Sequence, residues 1–133
     1  MRVPRELIDE IVAHAREEAP NECCGLISGA HGRASRVLRA RNSEESPLRY
    51  VVDPRDQIRI MGEIEEIGEE LVGIYHSHTR SEAYPSQTDV NLAEGWPDPL
   101  YLICSIADDE PDLRAFAIRE ERIEEAELTV EEA

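Results

Sequence analysis

The sequence predicts an α/β (α+β) fold in which one mixed sheet is sandwiched by helices. Three observations carry that expectation. Short apolar runs of strand length alternate with stretches whose apolar residues recur every three or four positions. Two of the runs flank the turn sequence GAHG, a hairpin signal. The chain has 133 residues, a length that suits one domain, residues 1–133, around one hydrophobic core.

Residues 4–18 read as a helix, with Pro4 at a first helical position and Ile8, Ile11, Val12 and Ala15 on one face. Pro20 and Asn21 end it. Residues 23–28 (CCGLIS) read as a buried strand and residues 35–41 as its hairpin partner. NSEESP is a loop, and residues 49–52, which carry Tyr50, read as a short strand. Pro54 opens a second helix through residue 69, with Ile60, Ile64 and Ile67 on one face. Residues 71–76 (LVGIYH) form a buried strand, and TRSEAYP is a loop. Residues 86–95 read as a short helix. Strands at residues 100–106 and 113–119 follow, separated by the turn ADDEP, and the acidic tail has room for one more.

Composition excludes several functions. Net charge is -16, and the last 26 residues carry eleven acidic side chains against three Arg. Such a surface repels phosphate backbones, so nucleic-acid binding is not expected. The chain contains no Lys, which removes Schiff-base chemistry, P-loop lysines and lysine bases. No apolar run approaches the ~18 residues of a membrane span. The N-terminus, MRVPRELIDE, lacks the apolar core of a signal peptide. Cys23, Cys24 and Cys104 are too few and wrongly spaced for a disulfide framework, which points to a cytoplasmic protein with reduced thiols. Cys23 and Cys24 would face opposite sides of a strand, so they read as small buried apolar residues.

The stretch IYHSHTRSEAYPSQTD holds the candidate chemistry. His76 and His78 are two apart at a strand end, so both imidazoles can point to one side. Asp89 could complete a His, His, carboxylate set of the kind that holds catalytic zinc. The segment Ser86-Gln87-Thr88-Asp89 also has the form of a capping box, in which Ser86 and Asp89 simply start a helix. The two roles are compatible. A hydrolase further needs a base, and Glu22 lies at the edge of a predicted strand. Taken alone, Glu22 reads first as a solvated loop residue in so acidic a chain, and spacing does not join it to the histidines. A nucleoside-deaminase reading fails, because that chemistry wants H-x-E and P-C-x-x-C and the chain has H-x-H and no C-x-x-C.

Together these residues resemble the JAMM (MPN-plus) metalloprotease family: an early Glu, then H-x-H, seven residues, Ser, two residues, Asp. Here the pattern reads Glu22, His76-Ser77-His78, residues 79–85, Ser86 and Asp89, without a gap. The resemblance implies a curved mixed sheet flanked by helices, the MPN/JAMM (cytidine-deaminase-like) fold. It implies one Zn2+ per chain held by His76, His78 and Asp89, with Glu22 as general base and acid and Ser86 as oxyanion donor. The stretches NECCGLISG and YHSHTRSEAYPSQTD are similar to the short bacterial branch of the family. That branch acts on a ubiquitin-like sulfur carrier protein and releases cysteine. Another ubiquitin-like or peptide substrate, or a non-catalytic binding module of the same fold, are the alternatives, and a homodimer is left open. Tyr84 and Pro85 would shape the loop beside the metal and touch substrate, or merely stiffen that loop. Tyr50 and Trp96 could line a groove for the substrate tail, or be core or rim aromatics. His14 and His31 read as solvated.

Overall fold

The computed structural model describes residues 1–132. Its elements in chain order are β1 (Arg2–Pro4), α1 (Arg5–Glu18), β2 (Cys24–Ala30), β3 (Arg33–Ala40), α2 (Pro54–Glu66), β4 (Glu70–His78), α3 (Gln87–Ala93), β5 (Leu100–Ser105), β6 (Asp112–Arg119), β7 (Arg122–Ala126) and β8 (Thr129–Glu131). The fold is α+β: a curled mixed sheet with three helices. Among the described residues no helix is long and apolar enough to cross a membrane.

Local chemistry sets the helix ends. Asp53 caps α2 by accepting from the amides of Arg55 and Asp56, with Pro54 in the first turn. The helix stops at Glu66, short of residue 69, because Gly68 takes φ +76° and lets the amides of Gly68 and Glu69 close on the carbonyls of Glu65 and Ile64. Ile67 falls past that stop and is half exposed, while Ile60 and Ile64 are buried. Ser86 and Asp89 form the capping box that opens α3.

The sheet runs β7-β6-β5-β4-β2-β3-β1-β8. β4 lies between β2, antiparallel, and β5, parallel. Side chains alternate between two faces. One face carries Cys24, Leu26, Ile74, Ile103 and Phe116, packed under α2 and α3. The other carries Cys23, Ile27, Tyr75, Leu102 and Ala115, packed on Ile8, Ile11 and Ala15 of α1. Cys23 and Cys24 therefore face opposite ways, as their adjacency requires.

Seven strand spacings laid flat would separate β7 from β8 by about 33 Å. Yet the two strands are joined by residues 127 and 128 alone, a link that reaches roughly 11 Å. The sheet must curl until its edges approach, with α1 packed on the face that carries Cys23, Ile27 and Tyr75. The Met1 ammonium donates to the Glu127 carbonyl at 2.8 Å, and the Thr129 amide to the Met1 carbonyl at 2.9 Å. Arg5 and Arg33 pair with Glu132 and Glu131 across the same seam.

Several sequence expectations need correction. Residues 2–4 are a strand, because β8 supplies a parallel partner that no local pattern announces. Pro4 ends that strand and stands just before α1. Residues 49–52 are not a strand; only an Asn42–Val52 bridge forms there. The tail gives two strands, not one. His14 is buried, not solvated, because it lies on the apolar stripe of α1 and shares a 2.7 Å hydrogen bond between Nδ1 and the Tyr75 hydroxyl. His31, at a turn with φ +53°, is exposed as expected.

Candidate metal centre

The site forms where β4 ends. β4 runs on to His78, so His76 and His78 share a face. β2 runs beside it with Cys24 opposite His76, and the Ser77 amide donates to the Cys23 carbonyl. The same register continued by one more residue sets Glu22 opposite His78, on the histidines' face. Strand pairing thus makes the connection that sequence spacing could not.

Asp89 arrives from α3. Its amide donates to Ser86 Oγ at 3.1 Å, and its Oδ2 accepts from the Ser86 amide at 3.0 Å. The same Oδ2 lies 3.1 Å from His76 Nε2 and 3.0 Å from His78 Nε2, while the two Nε2 atoms are 3.2 Å apart. Three donor atoms form a nearly equilateral triangle. Tetrahedral zinc with bonds of ~2.0–2.1 Å spaces its ligand atoms ~3.3 Å apart, so the set fits that metal. Protons serve the triangle poorly, since two ring nitrogens at this distance can share at most one. All three residues are buried.

Electrostatics favour the ligand forms of His76 and Asp89. Burial pushes the His76 pKa down and keeps the ring neutral. Burial opposes ionisation of Asp89, but the two imidazoles and the Ser86 amide outweigh it and hold the carboxylate well below its ordinary range. Burial also opposes the charged form of His78, yet its hydrogen bonds to Asp89 and the Glu82 carbonyl raise its pKa on balance. His78 Nδ1 lies 2.7 Å from the Glu82 carbonyl, which fixes the proton on Nδ1 and frees Nε2. Glu22 is 4% exposed, its Oε1 has no hydrogen-bond partner among the described residues, and burial first, then Asp89, pushes its carboxyl up to about 8, against the opposing pull of His78.

The loop of residues 79–85 is tied down by groups the sequence did not mark. Ser105, the register partner of His78 on β5, donates to the Ser81 carbonyl at 2.6 Å. Thr79 donates to the Pro20 carbonyl at 3.1 Å, and Ala83 is fully buried. Pro85 is buried; Tyr84 is half exposed, edge-on to Phe116 with Arg114 above the ring. Tyr50 is buried and stacks on His76 with ring centroids 4.1 Å apart. Tyr50 and Trp96 together line a cavity of about 120 Å³ beside the site, with Ile74, Leu92 and Tyr101.

A family model described as prokaryotic homologs of the JAB domain matches residues 4–119. A Mycobacterium tuberculosis protein named CysO-cysteine peptidase is 39% identical over 130 residues, covering 96% of this chain and 88% of its own. A Haloferax volcanii protein named desampylase is 39% identical over 106 residues, covering 73% of this chain and 74% of its own. A solution structure of a Desulfitobacterium hafniense protein superposes with a TM-score of 0.91 at 33% identity, over 100% of this chain and 94% of that one.

Proposed function

The chain belongs to the family of prokaryotic JAB-domain homologs, with the JAMM signature in place, and from that premise we propose that residues 1–133 are one zinc-dependent peptidase domain. The reading is hydrolysis of the amide after the C-terminal Gly-Gly of a ubiquitin-like sulfur carrier protein, with release of cysteine. The chain is a hydrolase of peptide or isopeptide bonds and acts on conjugates of ubiquitin-like carrier proteins. The observation that carries the mechanism is the triangle of His76, His78 and Asp89 donor atoms with the unpartnered carboxyl of Glu22 beside it.

His76, His78 and Asp89 would hold the metal through Nε2, Nε2 and Oδ2. Bound there, zinc supplies Lewis-acid activation of water and of the scissile carbonyl. Glu22 moves the proton. Burial brings its carboxyl near neutrality, where one group can take a proton from water and give it to the departing amine. Ser86 Oγ accepts from the Asp89 amide, and its own proton remains free to donate to the oxyanion. Tyr84 and Pro85 shape the wall where substrate enters. The three cysteines are free and buried, which suits an enzyme of the reducing cytoplasm.

The equal identity to a protein named desampylase favours a second reading, a JAMM isopeptidase acting on another ubiquitin-like or peptide substrate. One experiment separates them: mass spectrometry of a carrier–cysteine adduct and of a carrier–lysine conjugate after incubation, with and without chelator. Chelator-sensitive loss of cysteine from the first supports the primary reading. Cleavage of the second alone replaces it.

A further inference from the structure

We infer that residues 42–52 form a strap that positions both halves of the centre, with Asn42 a positioning residue for Glu22 and Tyr50 a positioning residue for His76; the inference rests on the metallopeptidase reading above. The strap is irregular, closed at its base by the Asn42–Val52 bridge and by the Asp53 amide on the Arg41 carbonyl. It leaves β3 and returns to α2, so both ends are anchored in regular structure.

Asn42 is its hub. Nδ2 donates to the Glu22 carbonyl at 3.1 Å and to the Arg49 carbonyl at 3.0 Å. Oδ1 accepts from the amides of Glu44 and Val51, each at 3.0 Å. Those four bonds use the full capacity of a side-chain amide. The Glu22 amide in turn donates to the Ser46 carbonyl at 2.9 Å. Both backbone groups of Glu22 are therefore held by the strap, at a point where β2 has not yet begun. Its carboxyl has no such anchor, so the direction of that side chain is inherited from this backbone clamp.

Tyr50 does the corresponding work on His76. A ligating imidazole is normally oriented by a hydrogen bond on its second nitrogen. His78 has one, to the Glu82 carbonyl. His76 has none: its Nδ1 is buried and without a partner among the described residues. The Tyr50 ring lies against it instead, at 4.1 Å between centroids and 18° between planes, itself only 3% exposed. A flat face at stacking distance fixes the imidazole plane and so the aim of Nε2. The strap thus links a base that precedes β2 to a ligand on β4.

A loop that merely closes the core would affect stability and nothing else; a positioning strap affects metal and turnover separately. Competition against a chromophoric chelator is expected to show zinc affinity about 10-fold weaker or more in Tyr50→Leu and restored to within about 2-fold in Tyr50→Phe, which keeps the ring. Asn42→Ala should lower kcat by about 10- to 100-fold with KM little changed. Linkage supplies a test on the parent protein, needed if either variant fails to fold. If the strap positions the ligands, loading the site must stabilise the strap. Hydrogen exchange at the Glu22, Glu44 and Val51 amides should slow when zinc is added. Zinc binding with unchanged exchange there, or folded variants with parental affinity and kcat, overturns the strap alone. A parent that binds neither zinc nor cobalt overturns the metallopeptidase reading and the strap with it.

Discussion

Ser86 holds two roles whose magnitudes can be separated. In Ser86→Ala the bond lost is that from the Asp89 amide to Ser86 Oγ, 3.1 Å. The reciprocal bond from the Ser86 amide to Asp89 Oδ2, 3.0 Å, uses backbone and survives. Half a capping box therefore goes, at a cost of about 1 kcal/mol, which for 133 residues lowers Tm by about 3–4 °C. Against a total stability on the order of 5–15 kcal/mol, that leaves the folded fraction unchanged. A role limited to capping would thus leave kcat near the parental value. Loss of an oxyanion donor instead adds about 2.7–4 kcal/mol to the barrier, or about 10²–10³ in kcat. Steady-state kinetics on a carrier–cysteine adduct, beside calorimetric melting, reads both numbers on one sample. Ser86→Thr, which keeps both a capping oxygen and a hydroxyl donor, should keep Tm and kcat near the parental values. Parental kcat in a Ser86→Ala protein that melts lower would refute the oxyanion role.

Three further outcomes are expected. Glu22→Gln should keep its zinc by metal analysis and lose about 10²–10⁴ in kcat; loss of metal would make Glu22 a ligand rather than a base. Burial, then Arg39, lowers His14 from 6.5 to about 4, so between those values the unfolded chain takes the proton first. Stability is then fully present above pH 6.5 and falls by up to about 3 kcal/mol as pH drops to 4; urea midpoints for parent and His14→Gln that run parallel across this window would refute it. In Gly25→Ala the new Cβ would lie 2.5 Å from Tyr75 Cζ, so the ring must move and its bond to His14 break; melting should show a loss of about 1–3 kcal/mol.

The legible parts of the site were the local ones. His76, His78, Ser86 and Asp89 lie within fourteen residues, and strand and helix periodicity say where each can point. Glu22 is some fifty residues away and reaches them through the register between β2 and β4, which no single stretch encodes. Asn42 and Tyr50 were harder still. An Asn before SEESP marks a turn, but nothing in the sequence says that its amide reaches back to Glu22. β1 and β8 are three residues each; β1 joins the sheet through β3 and β8 through β1, pairings that no local pattern encodes. His14 was readable and missed: it lies three residues after Ile11, on the stripe that α1 buries.

The meeting of the sheet's edges also sets an order of assembly. β1 and β8 lie more than 120 residues apart in sequence, and contacts that distant form late. Until β8 arrives, α1 has no seam to seal it, and the flanking strand edges remain open to pairing with other chains. The stretch that completes the closure, residues 120–132, carries seven acidic side chains against one Arg. Charge of one sign on that stretch opposes the pairing of open edges between copies of the chain before the seam closes.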